Sequence, residues 1–235
     1  MSPFARRIAE NLARIRERVA AAARRSGRPA DAIKLVAVTK YVSAEVAAAV
    51  VEAGCLDLGE SRPQELWAKA AALKHPSIRW HMIGHLQRNK IRRTLPLVHL
   101  MQSVDSPRIL AASEEEAAAQ QLTVPALLEV NISGDAAKTG LPPEVLDRVL
   151  EQAATLQHVL IRGLMGMASL DGDDAAARGD FARLREFRER LRTTVPAQVS
   201  LDELSMGMSG DFEIAIEEGA TIVRLGSILF EGVSR

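Results

Sequence analysis

One lysine of the chain stands where an amine could react with an aldehyde. Ile33–Thr39 reads IKLVAVT, and Lys40 follows it directly. A short, nearly all-apolar run is typical of a strand that is buried on both faces. A lysine at its end is partly desolvated, and desolvation favours the neutral amine, which can attack a carbonyl carbon. Taken alone, Lys40 is equally consistent with a side chain that extends out to solvent.

Two glycine- and serine-rich segments near the end of the sequence could bind an anion. Ser205–Gly210 reads SMGMSG, and Gly226 and Ser227 follow Leu225. Glycine lets backbone N–H groups approach an anion, and serine hydroxyls add donors. Each segment alone is typical of a turn. Together with Lys40 they suit an aldehyde that carries a phosphate, which describes both pyridoxal 5′-phosphate (PLP) and the substrate of a Schiff-base sugar-phosphate aldolase.

The elements that must position these residues alternate along the chain. Eight mostly apolar runs predict strands, nearly all separated by helices: Ile33–Thr39, Leu56–Leu58, Arg79–Ile83, Leu97–Gln102, Ala126–Asn131, Val159–Leu164, Val199–Leu204 and Thr221–Leu225. Strict alternation implies a parallel sheet of the α/β class, and eight units that close on themselves form a (β/α)8 TIM barrel. Because the pattern does not show closure, a doubly wound open sheet is the alternative.

In such a barrel the loops after strands 7 and 8 commonly build a phosphate site, and they are the glycine- and serine-rich segments here. An additional helix precedes the first strand, with one apolar face formed by Phe4, Ile8, Leu12, Ile15 and Val19. Its arginines lie mostly elsewhere, so a helix that covers the barrel is favoured over one that lies on a membrane surface. No linker interrupts residues 1–235, which are predicted to form a single domain.

Composition excludes several classes of protein. The 235 residues carry a formal net charge of zero and only 3% aromatic residues. This argues against a general polyanion binder and against base stacking, so no nucleic-acid partner is expected. The sequence has no signal peptide and no apolar run of membrane-spanning length, which predicts a cytoplasmic protein. A closed barrel is expected to be a monomer. Cys55, the one cysteine, is expected to be a small buried residue at the closed end of the barrel.

The candidate residues lie in motifs that resemble one known family. Lys40 lies in AVTKYVSAE, His81 in WHMIGHLQRNK, Ser205 in SMGMSGDFEIAI and Arg224 in VRLGSILF, and LGESRPQE lies between the first two. In this order the motifs resemble the pyridoxal phosphate homeostasis protein family, which shares the barrel of alanine racemase. The resemblance runs from about residue 4 to the end of the sequence.

The resemblance implies a role for each candidate residue. Lys40 would hold PLP as a Schiff base, and Arg224 would face the pyridine nitrogen. The phosphate would be held by Ser205, Ser209 and the backbone of Gly226 and Ser227. The pocket near the ring would be lined by His81 and Met167.

Three positions depart from the usual family pattern. Ser61 stands where the family usually has Asn, so the polar contact expected there would be shorter or lost. His85 stands where Pro is common, and Glu231 separates a Phe-Gly pair that is usually continuous.

The resemblance also implies a cofactor carrier rather than a turnover enzyme, with apo PLP-dependent enzymes as recipients. An arginine can only donate hydrogen bonds, so a pyridine nitrogen facing Arg224 stays unprotonated and is a weak electron sink. A racemase needs a second base, and in alanine racemase a separate C-terminal domain supplies a tyrosine. The chain ends ten residues after Leu225, so no such domain is expected. Tyr41 is expected to point away from the pocket. A racemase-like enzyme with His81 as the second base is the alternative.

Overall fold

The computed structural model describes residues 3–134, 139–169, 172–196 and 199–233. Within these ranges the strands are β1 (Lys34–Val38), β2 (Asp57–Glu60), β3 (Arg79–Met82), β4 (Val98–Val104), β5 (Val124–Glu129), β6 (Val159–Met165), β7 (Glu203–Ser205) and β8 (Ile222–Leu225). The helices are α1 (Pro3–Arg25), α2 (Ala44–Glu52), α3 (Pro63–Ala72), α4 (Arg88–Thr94), α5 (Pro107–Ala119), α6 (Leu146–Ala153), α7 (Asp174–Arg192) and α8 (Phe212–Glu217). Short 3-10 helices lie at Ala30–Ala32, Leu95–Leu97 and Pro143–Val145.

The eight strands form one closed parallel barrel in chain order. Its closure rests on the pairing of β1 with β8, in which Lys34 lies opposite Ile222 and Ala37 opposite Leu225. This confirms the predicted TIM barrel and removes the open-sheet alternative. Because all strands run in parallel, their carboxyl ends meet at one mouth of the barrel, and side chains after different strands can share a site there.

Helix α1 lies against α2 and α8 on the outside of the barrel. The predicted apolar face of α1 is buried at Ile8, Leu12, Ile15 and Val19. On its polar side the Arg18 guanidinium forms an ion pair of 3.0 Å with Glu213. The apolar face therefore belongs to the core, as predicted for a helix that covers the barrel. In the part of the chain that the structure describes, no helix combines the length and the apolar character needed to cross a membrane.

The barrel interior is less apolar than the strand runs suggest. One apolar layer crosses it, formed by Val36, Leu100, Leu127, Met165 and Ile222. Buried polar residues also face inward, among them Ser205 at the end of β7, the strand whose predicted bounds differ most from the structure. β2 begins at Asp57 and extends to Glu60, and β7 covers Glu203–Ser205 instead of Val199–Leu204.

Candidate functional site

A cavity of about 470 Å³ opens at the barrel mouth, a size within the usual range for small-molecule sites. Seven of the nine predicted cofactor-binding residues line it: Lys40, Ser61, Met167, Ser209, Arg224, Gly226 and Ser227. They come from the ends of β1, β2, β6, β7 and β8. Barrel closure thus brings together residues that are up to 187 positions apart in the sequence.

Lys40 follows β1 and enters the cavity as a half-buried side chain. Its ammonium nitrogen lies 4.9 Å from the centre of the Tyr41 ring, a cation–π contact. Tyr41 also lines the cavity although its side chain is 69% exposed. The expectation that Tyr41 points away was therefore wrong: β1 ends at Val38, and the strand alternation on which that expectation rested does not continue to residue 41.

The backbone below Lys40 is fixed by a buried cluster of Thr39, Glu60 and Lys69, which we call the lysine anchor. Lys69 Nζ forms an ion pair of 2.7 Å with Glu60 Oε1 and donates a hydrogen bond of 2.6 Å to the Thr39 carbonyl oxygen. The Thr39 hydroxyl donates to the same carboxylate oxygen at 2.6 Å. Because the cluster holds the main chain next to Lys40 but not its amine, that amine remains available to the cavity.

The glycine and serine segments meet on the side of the cavity formed by β7 and β8. The Gly226 amide donates to the Ser209 hydroxyl at 3.2 Å, which joins the two segments. Gly207 has a φ of +92°, and a β-carbon there would lie 2.5 Å from that of Ala215. Only glycine fits this turn. The hydroxyls and backbone amides of this wall are donors of the kind that bind phosphate.

Ser61 lines the cavity from the end of β2 and is held by a close backbone approach. A β-carbon at Gly84 would lie 2.5 Å from the Ser61 carbonyl oxygen, so only glycine allows the two loops to touch. The neighbouring His85, which departs from the family pattern, pairs with Asp105 at 2.5 Å.

Arg224 presents its guanidinium to the cavity from β8. It is almost fully buried, and it donates hydrogen bonds of 2.7 Å to the Ser205 hydroxyl and 3.0 Å to the Gly166 carbonyl oxygen. Burial lowers the pKa of Arg224 to about 10, and the carboxylates of Glu129 and Asp211 oppose that shift. The side chain is therefore charged at neutral pH, and its plane is fixed.

The remaining two candidates, Ser205 and His81, are fully buried and do not line the cavity. Ser205 donates to Gln102 Oε1 at 2.6 Å, and Gln102 Nε2 lies 2.9 Å from His81 Nδ1. His81 Nε2 in turn lies 2.9 Å from Asp57 Oδ1. Direct contact of Ser205 and His81 with a ligand stays a prediction, since the structure gives both residues other partners. We call the series Arg224, Ser205, Gln102, His81 and Asp57 the arginine relay.

The protonation of the relay follows from its surroundings. Burial lowers the pKa of His81, although the Asp57 carboxylate opposes this, so the imidazole is neutral at pH 7. Burial raises the pKa of Asp57, but hydrogen bonds from Arg79 and His81 outweigh it and bring that pKa below its usual range. Asp57 is therefore a carboxylate and His81 a neutral ring with both nitrogens occupied.

Sequence reasoning missed Gln102 and Asp57 of the relay, and Glu60 and Lys69 of the lysine anchor. One signal was present: Gln102 is a polar residue inside the strand VHLMQSV and is fully buried. The others carry no such signal, because their partners come from different strands and helices. Cys55 is buried near the closed end as predicted, and burial raises the pKa of its thiol to about 11.

The sequence and the fold match known proteins. Residues 10–233 match the family described as alanine racemase, N-terminal domain. The chain is similar to the pyridoxal phosphate homeostasis protein of Aquifex aeolicus, with 38% identity over 94% of this chain and 96% of that protein. The protein of the same name from Pseudomonas aeruginosa is 39% identical over 95% and 94% of the two chains. PipY of Synechococcus elongatus with PLP bound superposes with a TM-score of 0.83, at 36% identity over 95% of this chain and 99% of that chain.

Proposed function

The chain belongs to the family of pyridoxal phosphate homeostasis proteins, and from this premise we propose that it holds PLP as a Schiff base on Lys40 and delivers it to other proteins without sustained turnover. The single observation that carries the proposal is the composition of the mouth cavity. The Lys40 amine, the hydroxyl and amide donors of the β7–β8 wall, and the Arg224 guanidinium all line the same cavity of about 470 Å³. These three groups complement the aldehyde, the phosphate and the ring nitrogen of PLP.

Lys40 supplies the covalent link in this proposal. Its ε-amine would form a C=N bond with the aldehyde carbon of PLP and release water, and addition of water would reverse the step. An amine from a recipient protein would instead replace the Lys40 nitrogen at that carbon and leave the lysine free. The phosphate would be held by Ser209 with the backbone of Gly226 and Ser227, while Ser61 and Met167 contribute to the walls around the ring.

The Arg224 guanidinium supports carriage rather than catalysis. Bound PLP supplies an electron sink for carbanions, and the sink is strong only when the pyridine nitrogen is protonated. A charged guanidinium has no lone pair to receive that proton and can only donate to the nitrogen. Arg224 therefore favours a ring that is stable on the protein and poorly suited to turnover.

The racemase-like alternative loses its candidate base. A second base must reach the substrate, whereas His81 is fully buried and both of its ring nitrogens are engaged, by Gln102 and Asp57. The recipients in our proposal are apo PLP-dependent enzymes, and a cytoplasmic, monomeric protein remains our prediction.

A transfer assay tests the proposal. The protein is loaded with PLP, separated from free PLP and mixed with an apo aminotransferase, and the recovery of aminotransferase activity is compared with that from the same concentration of free PLP. We expect faster recovery from the loaded protein. The Lys40→Ala variant treated in the same way should give no advantage over free PLP. Equal rates for the loaded protein and free PLP would contradict delivery.

A further inference from the structure

The arginine relay crosses the barrel interior from the mouth to the closed end. Arg224 lines the mouth cavity, whereas Asp57 lines a second cavity of about 440 Å³ at the amino ends of the strands. Between them Ser205, Gln102 and His81 have no solvent exposure. TIM-barrel interiors are typically filled by branched apolar side chains, so a buried polar series through one calls for an explanation.

The two ends of the relay fix the direction of every hydrogen bond within it. A carboxylate can only accept, so His81 donates to Asp57 from Nε2. A neutral imidazole that donates from Nε2 can only accept at Nδ1, so the amide nitrogen of Gln102 donates to it. The carbonyl oxygen of Gln102 is then left to accept from the Ser205 hydroxyl.

The consequence reaches Arg224. Because the Ser205 proton is committed to Gln102, the hydroxyl presents a lone pair to the guanidinium, which donates to it at 2.7 Å. The carboxylate of Asp57 thus determines, three hydrogen bonds away, which side of the Ser205 hydroxyl faces Arg224. Without Gln102, or without His81 to orient the Gln102 amide, the Ser205 hydroxyl is no longer held in the position from which it accepts from Arg224. The guanidinium then keeps one of its two acceptors, the Gly166 carbonyl oxygen, and its plane is no longer fixed.

We propose that Gln102, His81 and Asp57 are positioning residues that act through Ser205 to hold the Arg224 guanidinium toward the ring nitrogen of PLP. This inference rests on the proposed function and extends it. None of the three residues lines the mouth cavity, so their effect on the ring is transmitted entirely through Arg224. The relay keeps the nitrogen unprotonated by keeping its donor in place.

The test compares two substitutions of one residue. In His81→Gln, the side-chain amide can still donate to Asp57 and accept from Gln102, so the order of hydrogen bonds is preserved. His81→Leu is of similar size and breaks the relay. PLP labelled with ¹⁵N in the ring is bound to each variant, and the ¹⁵N chemical shift reports protonation of the ring nitrogen independently of any enzymatic activity.

We expect the ring-nitrogen resonance of His81→Gln to match the wild type. That of His81→Leu should move toward the protonated value, with PLP affinity about tenfold lower because a hydrogen bond to a charged group is lost or weakened. Leu127→Ala is the matched control, since it removes a fully buried barrel residue outside the relay. An unchanged resonance in His81→Leu, or an equal change in Leu127→Ala, would overturn the proposal. Should His81→Leu not fold, Gln102→Leu takes its place with the same expected change.

A second readout needs no cofactor and separates this inference from the proposed function. In the wild-type protein without PLP, the ¹⁵N shifts of His81 should show a protonated Nε2 and an unprotonated Nδ1. A protonated Nδ1 would overturn the relay even if Lys40 binds PLP. The expected tautomer together with no adduct on Lys40 would contradict the proposed function and leave the hydrogen-bond order of the relay supported.

Discussion

Two buried networks lie below the cavity, the lysine anchor and the arginine relay, and they act on Lys40 and Arg224 in opposite ways. The lysine anchor fixes the main chain beside Lys40 and leaves the amine free, whereas the arginine relay grips the Arg224 guanidinium itself. The anchor is compact and lies between the barrel and α3, while the relay spans the barrel interior. The difference corresponds to function: a group that must form and break a covalent bond needs mobility, and a group that tunes a ring needs a fixed position.

Removing one partner of the lysine anchor should have the largest effect on stability. Lys69→Met leaves Glu60 as a buried carboxylate whose Oε2 already has no partner among the described residues. Breaking a buried pair in this way typically lowers the free energy of unfolding by about 3–5 kcal/mol. Urea denaturation at pH 7 measures the change. The double variant Glu60→Gln/Lys69→Met should recover most of the loss, and a loss below about 1 kcal/mol in the single variant would show that the cluster is not an anchor.

Alanine substitutions of the two serines in the SMGMSG segment should have different effects on ligand binding. Ser209 lines the cavity, so Ser209→Ala should weaken binding of PLP by about tenfold or more while affecting pyridoxal, which lacks the phosphate, much less. Ser205 belongs to the relay, so Ser205→Ala should change the affinities for PLP and pyridoxal by the same factor. Fluorescence titrations with both ligands measure these ratios. If Ser205→Ala weakened binding of PLP much more than binding of pyridoxal, Ser205 would belong to the phosphate site after all.

The stability that Asp57 contributes at the closed end of the barrel should decrease in acid. The folded-state pKa of Asp57 is lower than its unfolded value of about 3.9, so its stabilisation is complete above about pH 4 and is lost as the pH falls below that value. Asp57→Asn should therefore be less stable than the wild type by roughly 1–2 kcal/mol at pH 7. The difference should shrink at pH 3. Denaturation curves at the two pH values decide the matter, and a constant difference would mean that Asp57 acts by packing alone.

The smallest effect should come from the contact that restrains Lys40. Its ammonium lies over the exposed Tyr41 ring, and such a contact contributes about 0.5–1 kcal/mol. Tyr41→Leu should release the side chain and speed formation of the PLP adduct about two- to fivefold. Tyr41→Phe retains the ring and should behave like the wild type in stopped-flow absorbance. A much larger change in the leucine variant would mean that Lys40 is held as firmly as Arg224.

The same contrast explains how far the sequence predicts this molecule. The barrel was predictable because buried parallel strands such as IKLVAVT are nearly continuous apolar runs. β7 was misplaced because Glu203 and Ser205 make its inward face polar, and the apolar residues at Val199 and Leu201 precede the strand.

The mouth residues were predictable because each follows a strand or, like Arg224, lies near its carboxyl end, and strand ends converge in a barrel. The relay was not predictable in this way. Ser205 and Gln102 are 103 residues apart, and their hydrogen bond exists only because β4 and β7 face each other across the closed interior. Charge and residue type gave no indication that Ser205 lies below the cavity while Ser209 lines it.

The most direct test of the central claim is to locate the covalent link. Protein loaded with PLP is reduced with borohydride, digested and sequenced by mass spectrometry, beside Lys40→Ala and Lys74→Ala, the latter an exposed lysine that does not line the mouth cavity. We predict one phosphopyridoxyl group on Lys40 in the wild type and in Lys74→Ala, and none in Lys40→Ala. Labelling of another lysine, or no labelling of the wild type, would contradict the assignment of Lys40.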